Sequence, residues 1–123
     1  MAESVVNLVG KGGGSGMTLL WSNPSPNNSF SGQDVNLSSN DYSALIIAFT
    51  INVGFSGKMD SSVVALKGRS PFLFAILNNA AAGIYKRSLT RVSDTKYTFD
   101  DGRTGDNTVN NDLCVPLAIY GIK

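Results

Sequence analysis

One segment constrains the fold of this chain more than any other, the run SALIIAFTINV at residues 43–53. Every odd position from 45 to 53 is apolar. These positions are Leu45, Ile47, Phe49, Ile51 and Val53. Apolar residues that recur with a period of two share one face of a β-strand, whereas a helix needs a period of about 3.6. The even positions begin apolar at Ala44 and become polar at Asn52. The run therefore predicts a strand covered on both faces at its start and on one face at its end.

The rest of the chain repeats this pattern in shorter pieces, since apolar runs alternate with segments rich in Gly, Asn, Ser and Pro. Short runs separated by turn residues are typical of all-β domains. The further predicted strands are TLLW (18–21), QDVNL (33–37), SSVVALKG (61–68), FLFAIL (72–77), GIYKRSLTRV (83–92), TKYTFDD (95–101) and LCVPLAIYGIK (113–123). About eight strands without a convincing amphipathic helix predict an all-β fold, an antiparallel β-sandwich that is jelly-roll-like.

Two of these strands carry more specific predictions. GIYKRSLTRV and TKYTFDD are close enough in sequence to form a hairpin, in which Tyr97 and Phe99 are expected to pack inside. The last strand contains Pro116, which cannot donate a hydrogen bond to a neighbouring strand. This proline predicts an edge strand or a bulge.

The first sixteen residues differ from the rest, because a short apolar stretch, Val5–Val9, is followed by the glycine-rich sequence GKGGGSG. A phosphate-binding loop of the Walker type needs a lysine followed by Ser or Thr at the start of a helix, but Lys11 precedes Gly12 and a strand pattern. A flexible joint needs only glycine and serine, and a natural hinge and an engineered linker both fit. We divide the chain into an N-terminal apolar anchor with its joint, 1–16, and a head domain, 17–123, and expect Lys11 to be solvated.

Composition restricts the classes of function. The chain has 123 residues, enough for one domain, and only 15% of them are charged, so Ser, Asn, Thr and Gly must form much of the surface. A net charge of +1 without a basic cluster argues against a nucleic-acid partner. No stretch is long and apolar enough for membrane insertion, and the N-terminus lacks the basic leader of a secretory signal peptide.

Histidine is absent from the sequence and Cys114 is the single cysteine. A Cys–His pair and a Ser–His triad therefore cannot form within the chain. The surroundings of Cys114 are apolar, so we expect a small buried side chain rather than a reactive thiol. The sequence predicts no cofactor and no catalytic site.

Amphipathic aromatic residues are the first candidates for a binding site, because their rings stack on the apolar faces of sugars. Trp21 lies beside the proline-rich loop SNPSPNNSFSG, and Tyr85 precedes the basic pair Lys86 and Arg87. These four residues are the glycan-binding candidates.

Acidic residues near the C-terminus are weaker candidates. Asp100, Asp101 and Asp106 lie in an Asn-rich segment whose oxygen atoms could hold calcium, although the spacing of an EF-hand is absent and such residues are ordinary turn formers. Asp100 and Asp101 could also serve a small glycan hydrolase, which needs two carboxylates in a cleft. They lie at a turn, however, and point to opposite sides if the strand continues.

Three stretches, TLLWSNPSPNNSFSGQDVNL, YSALIIAF and VPLAIYGIK, together resemble parts of small phage-encoded virion proteins, notably tail-fibre and receptor-binding tips. The matching positions are Leu20, Trp21, Asn23, Pro24, Pro26, Phe30, Tyr42 and 119–122. The resemblance spans residues 17–123. It implies a β-sandwich head that forms a homotrimer in the virion and attaches to host surface polysaccharide.

The same resemblance implies that the N-terminal segment contacts other virion proteins. Residues 1–16 are much shorter than a fibre shaft, so a decoration protein on a capsid or tail is one alternative. A stand-alone carbohydrate-binding module is another, and the small glycan hydrolase is a third.

Overall fold

The structure is a computed structural model in which residues 16–77 and 83–123 are described. The predicted apolar anchor and Lys11 lie outside the described residues. Those residues form nine strands, which are β1 (Met17–Ser22), β2 (Gln33–Asn36), β3 (Ala44–Asn52), β4 (Asp60–Leu66), β5 (Phe72–Ile76), β6 (Ile84–Ser93), β7 (Lys96–Phe99), β8 (Arg103–Thr104) and β9 (Leu113–Ile122).

The strands form two antiparallel sheets packed face to face, which confirms the predicted β-sandwich. One sheet has the order β1-β9-β3-β4, and the other has the order β2-β7-β6-β5, with β8 also paired to β6. The last strand returns between β1 and β3, and β1, β2 and β3 alternate between the sheets, so the order is jelly-roll-like. The predicted hairpin is β6–β7. The additional strand, β8, has two residues and lies in a segment that the sequence predicts as a polar loop.

The core lies between the inner faces of the two sheets. Leu45, Ile47 and Phe49 of β3 are fully buried there, as their alternation predicts. Tyr97 and Phe99 of β7 face them from the other sheet and are also buried, which confirms their predicted position. Their side chains belong to one continuous apolar cluster, so burial of this cluster is the main force that holds the sheets together.

Pro116 lies in β9, which is hydrogen-bonded to strands on both sides, so the edge-strand alternative is wrong and the bulge alternative is right. The register of β9 against β3 shifts by one residue beside Pro116. Asn23, from the proline-rich loop, donates its side-chain Nδ2–H to the Pro116 carbonyl at 2.8 Å and its backbone N–H to the Leu117 carbonyl at 2.9 Å. The loop thus adds two hydrogen bonds to β9 beside the bulge.

Candidate functional site

A cleft opens on the outer face of the five-stranded sheet, where β7 ends and β8 begins. β7 pairs with the second half of β6, and β8 pairs with Tyr85 and Lys86 in its first half. Residues 100–102 connect β7 to β8 outside the strands, and a cavity of about 160 Å³ lies beside them. Its lining residues are Phe72, Lys86, Arg87, Ser88, Asp100, Asp101, Arg103 and Asn107. The cleft combines an aromatic ring, cations, carboxylates and an amide.

Arg87 closes the floor of the cleft. Its side chain is 1% exposed, and it donates from Nε to the Cys114 carbonyl at 2.9 Å, from Nη1 to the Asp100 carbonyl at 2.7 Å and from Nη2 to the Leu113 carbonyl at 2.8 Å. The guanidinium also lies over the Phe30 ring, 5.4 Å from its centroid. Burial lowers the pKa of Arg87 to about 10, so the group stays charged at neutral pH.

This position corrects one sequence-based prediction. Arg87 was expected among the glycan-contacting side chains, but it points inward from β6 together with Leu89, and its donors are used by backbone carbonyls. Its role is to fix the start of β9 and the end of β7 against β6.

The two aromatic candidates, Trp21 and Tyr85, do not line the cleft. The Trp21 ring packs against Phe30 at 6.1 Å and Phe99 at 5.8 Å between ring centroids, and it is partly buried against the core. Tyr85 is partly buried against the core and lies 6.3 Å from the ring of Phe55. Of the four predicted glycan-binding residues, Lys86 alone places its side chain on the outer face at the cleft.

The aromatic residue that lines the cleft is Phe72, which is not among the four candidates from the sequence. It lies on β5, an edge strand, with its side chain 49% exposed and its ring centroid 6.1 Å from that of Phe74. Phe72 pairs with Ser88 of β6, which brings the ring beside the polar residues. The available signal was the alternation in FLFAI, which separates Phe72 and Phe74 from the buried Leu73.

The acidic wall of the cleft contains Asp100 and Asp101. Arg103 donates from Nε to Asp100 Oδ2 at 3.2 Å, and this hydrogen bond holds the pKa of Asp100 below its usual value. Asp101 Oδ1 accepts the backbone N–H of Gly32 at 2.8 Å. The strand ends at Phe99, so the two carboxylates both line the cleft instead of pointing to opposite faces. A general acid for glycoside hydrolysis needs a raised pKa, and the pKa of Asp100 is shifted the other way.

The third acidic candidate, Asp106, lies in the turn after β8 and is not among the residues that line the cleft. It accepts hydrogen bonds from the Thr104 hydroxyl and from the Thr108 backbone N–H, the latter at 3.1 Å. Within 16–77 and 83–123, no three or more His, Cys, Asp or Glu side chains form a group able to hold a metal ion. Asp100 and Asp106 form hydrogen bonds with residues close to them in sequence, and Asp101 accepts one from the distant Gly32.

We expect Asp106 to titrate with a pKa of about 2, because its bonds with Thr104 and Thr108 favour the ionised carboxylate. A lowered pKa means that this contribution to folding is complete above the ordinary value of 3.8 and is lost as the pH falls through about 2. NMR titration of the side-chain carboxyl measures this. Thr104→Val should raise the pKa of Asp106, while the conservative Thr104→Ser should leave it low. An unchanged pKa in Thr104→Val would contradict this assignment.

Cys114 is fully buried at the start of β9, which confirms that it is a small interior side chain. Burial raises the pKa of its thiol to about 12. Nucleophilic reactions of cysteine require the thiolate, so the structure gives this residue no reactive role at neutral pH.

A second surface, on the outer face of the four-stranded sheet, is apolar. The strand register aligns side chains in two rows that each cross all four strands. One row contains Met17, Ile122, Ala44 and Leu66, and the next contains Leu19, Tyr120, Ile46 and Val64. We call these eight residues the apolar face. None of them carries a formal charge, and Leu19, Val64 and Leu66 are 51%, 65% and 63% exposed.

Comparison of the chain with protein-family models, with curated proteins and with solved structures finds no match. The described parts of the chain contain no helix that is long and apolar enough to cross a membrane. The cleft and the apolar face are two surfaces through which the described residues could contact a ligand or a partner.

Proposed function

We propose that the protein is a structural and binding protein of a phage virion, either a tail-fibre tip, a receptor-binding head or a decoration protein. In this proposal it forms a homotrimer through the apolar face and attaches the particle to the surface of the host bacterium through glycan. The sequence resemblance suggests the phage virion, and the apolar face is the observation that supports assembly.

The exposed side chains of the apolar face are adjacent to one another and form one surface. It is continuous across all four strands of its sheet, and three of its members are more than half exposed. Continuous exposed apolar surface on a folded protein marks a contact with another molecule. The sequence also predicts that the start of β3 is covered on both faces, and Ala44 and Ile46 on its outer side are only partly buried by the described residues.

The absence of charge on this face favours identical copies as the partner. In a symmetric oligomer, copies of one chain turn the same surface toward a common axis. Any charge on that surface then lies close to the like charge of the next copy, which is unfavourable, so an uncharged surface suits this arrangement. Tyr120, on the inner strand β9, adds a large aromatic ring that contributes much apolar area to a contact. In the sequence only a short glycine-rich stretch separates Val5–Val9 from Met17, a member of the apolar face.

The two sheets of a sandwich turn their outer sides in opposite directions, and this supports the attachment part of the proposal. The apolar face belongs to β1, β9, β3 and β4, whereas the cleft is built on β5, β6, β8 and the segments beside them. An assembly that buries the first surface leaves the second one open to a ligand on the host.

We expect light scattering of the purified protein to give a mass three times that of the 13.0 kDa chain. Val64→Lys should yield monomers, because it introduces one charge per copy into the buried contact. The matched control is Val92→Lys, since Val92 is also exposed but lies on the other sheet, and it should remain trimeric. A monomeric wild-type protein at micromolar concentration would rule out the trimer and favour a stand-alone carbohydrate-binding module, which the cleft would then support.

A further inference from the structure

We infer that the cleft beside Phe72 binds an anionic saccharide, that is, a sugar ring that carries a carboxylate or a phosphate. This inference rests on the proposed attachment function and specifies its ligand. The binding residues are Phe72, Lys86, Asp100, Asp101, Arg103 and Asn107.

Phe72 supplies the apolar part of the site. Its ring is half exposed on an edge strand and forms one side of the cavity. The C–H groups on one face of a pyranose ring pack on such an aromatic surface, and burial of both surfaces from water favours the contact. Phe74 lies on the same strand, next to Phe72, but does not line the cavity. The cavity, about 160 Å³ in volume, is suited to a single sugar residue with its substituent.

The charges of the cleft favour an anion over a neutral sugar. Three cations, Lys86, Arg87 and Arg103, and two carboxylates, Asp100 and Asp101, line it. Arg103 is paired with Asp100. Lys86 takes part in none of the ion pairs formed by the described residues, and the buried charge of Arg87 adds to the positive potential below it. An anionic substituent next to Lys86 would form a charge-assisted hydrogen bond.

The carboxylates provide acceptors for sugar hydroxyl groups. Asp101 uses Oδ1 for the Gly32 N–H, and its other oxygen has no hydrogen-bond partner among the described residues. Asp100 uses Oδ2 for Arg103. Asn107, whose backbone carbonyl accepts a hydrogen bond from Arg103, adds an amide to the rim. A saccharide can use the hydrogen-bond acceptors, the amide donor and the aromatic ring together. An inorganic anion has no use for the acceptors or the ring.

The site is also held in place before any ligand binds. The Arg87 guanidinium fixes the Asp100 carbonyl, and the Gly32 contact fixes the Asp101 side chain. A site whose side chains become ordered only when the ligand binds loses affinity through the entropy of that ordering. A preformed site avoids this loss and binds more tightly for the same contacts.

Four probes separate the contributions: glucose 6-phosphate and glucuronate carry ring and anion, glucose carries the ring alone, and inorganic phosphate carries the charge alone. We expect saturation-transfer NMR and amide shift changes at Lys86 and Ser88 to report binding of the first two probes. Glucose should bind more weakly, and phosphate should not shift these amides to the same extent. The stronger of the first two probes identifies the preferred anion.

Two variants test the assignment of residues. Phe72→Ala should weaken binding of both charged sugars about tenfold, whereas Phe74→Ala, the matched control, should change it by less than about twofold. Lys86→Gln should remove the preference for glucuronate over glucose and leave glucose binding unchanged. Circular dichroism checks that the variants remain folded.

Inorganic phosphate binding as tightly as glucose 6-phosphate, with Phe72→Ala unaffected, would overturn the saccharide assignment in favour of an anion site. Absence of shifts at the cleft with all four probes would overturn it as well. Light scattering on the same samples keeps the two proposals apart. A trimer without sugar binding contradicts the cleft alone, and a monomer that binds the charged sugars contradicts the trimeric assembly alone.

Discussion

Replacing Arg87 by methionine is expected to lower the free energy of unfolding by about 3–5 kcal/mol, because three buried backbone carbonyls lose their donors. Methionine fills part of the same volume but donates no hydrogen bond. The carbonyls of Asp100, Leu113 and Cys114 would then lose their guanidinium donors. Each buried acceptor left without a partner costs about 1–3 kcal/mol, and the gain from no longer burying a charge offsets only part of this.

Urea denaturation followed by tryptophan fluorescence measures the effect, at one fixed protein concentration because association also contributes to stability. The matched control is Arg69→Met, since Arg69 is exposed and this change should stay within about 0.5 kcal/mol. Arg87→Lys keeps the charge but loses the planar guanidinium with its several N–H donors, so it should also lower the free energy of unfolding. A loss of less than about 1 kcal/mol in Arg87→Met would show that the carbonyls find other donors.

The second large effect is expected for Phe99→Ala, which should cost about 3–5 kcal/mol. The Phe99 ring is almost completely buried, and its centroid lies 5.4 Å from that of Phe30 and 5.8 Å from that of Trp21. Truncation leaves a cavity among aromatic rings that cannot collapse without moving the strands. It also removes a neighbour of Phe30, the ring over which the Arg87 guanidinium lies.

The exposed Phe74 provides the control for this prediction, because Phe74→Ala makes the same chemical change on the outer face of the same sheet. It should shift the midpoint of unfolding only slightly. If Phe99→Ala and Phe74→Ala were equally stable, the aromatic cluster would not be the main support of this side of the core. A double variant of Phe99→Ala with Arg87→Met should destabilise by less than the sum, since the two side chains share Phe30.

The sequence was sufficient to predict the sandwich, because a strand with one buried face has an apolar residue at every second position. This pattern can be recognised without knowing which strands pair with it. β3 shows this, since Leu45, Ile47 and Phe49 lie inside as their spacing predicts. The same alternation in β6 places Arg87 in line with Leu89. Arg87 is a glycan-binding candidate by its sequence context, but its guanidinium is buried and donates to the backbone carbonyls of Asp100, directly after β7, and of Cys114 in β9.

The cleft could not be predicted in the same way, because it depends on how separate segments are paired. Phe72 reaches Ser88 through the register of β5 against β6, and Arg103 reaches Lys86 through the two residues of β8. Neither register leaves a periodic signal in one sequence. The prediction for Pro116 was half right for a related reason, since a bulge is local while the choice between edge and centre of a sheet depends on β1 and β3.

The placement of the cleft and the apolar face on different sheets has a consequence for how such a protein can change over generations. Among the strands of residues 16–77 and 83–123, none contributes side chains to both surfaces, so a substitution on β5 or β8 alters neither row of the apolar face. Under the proposed function, ligand preference can therefore drift while assembly into the particle is preserved. A virus that must follow a changing host surface would gain a recognition surface that mutates independently of the surface that holds the particle together.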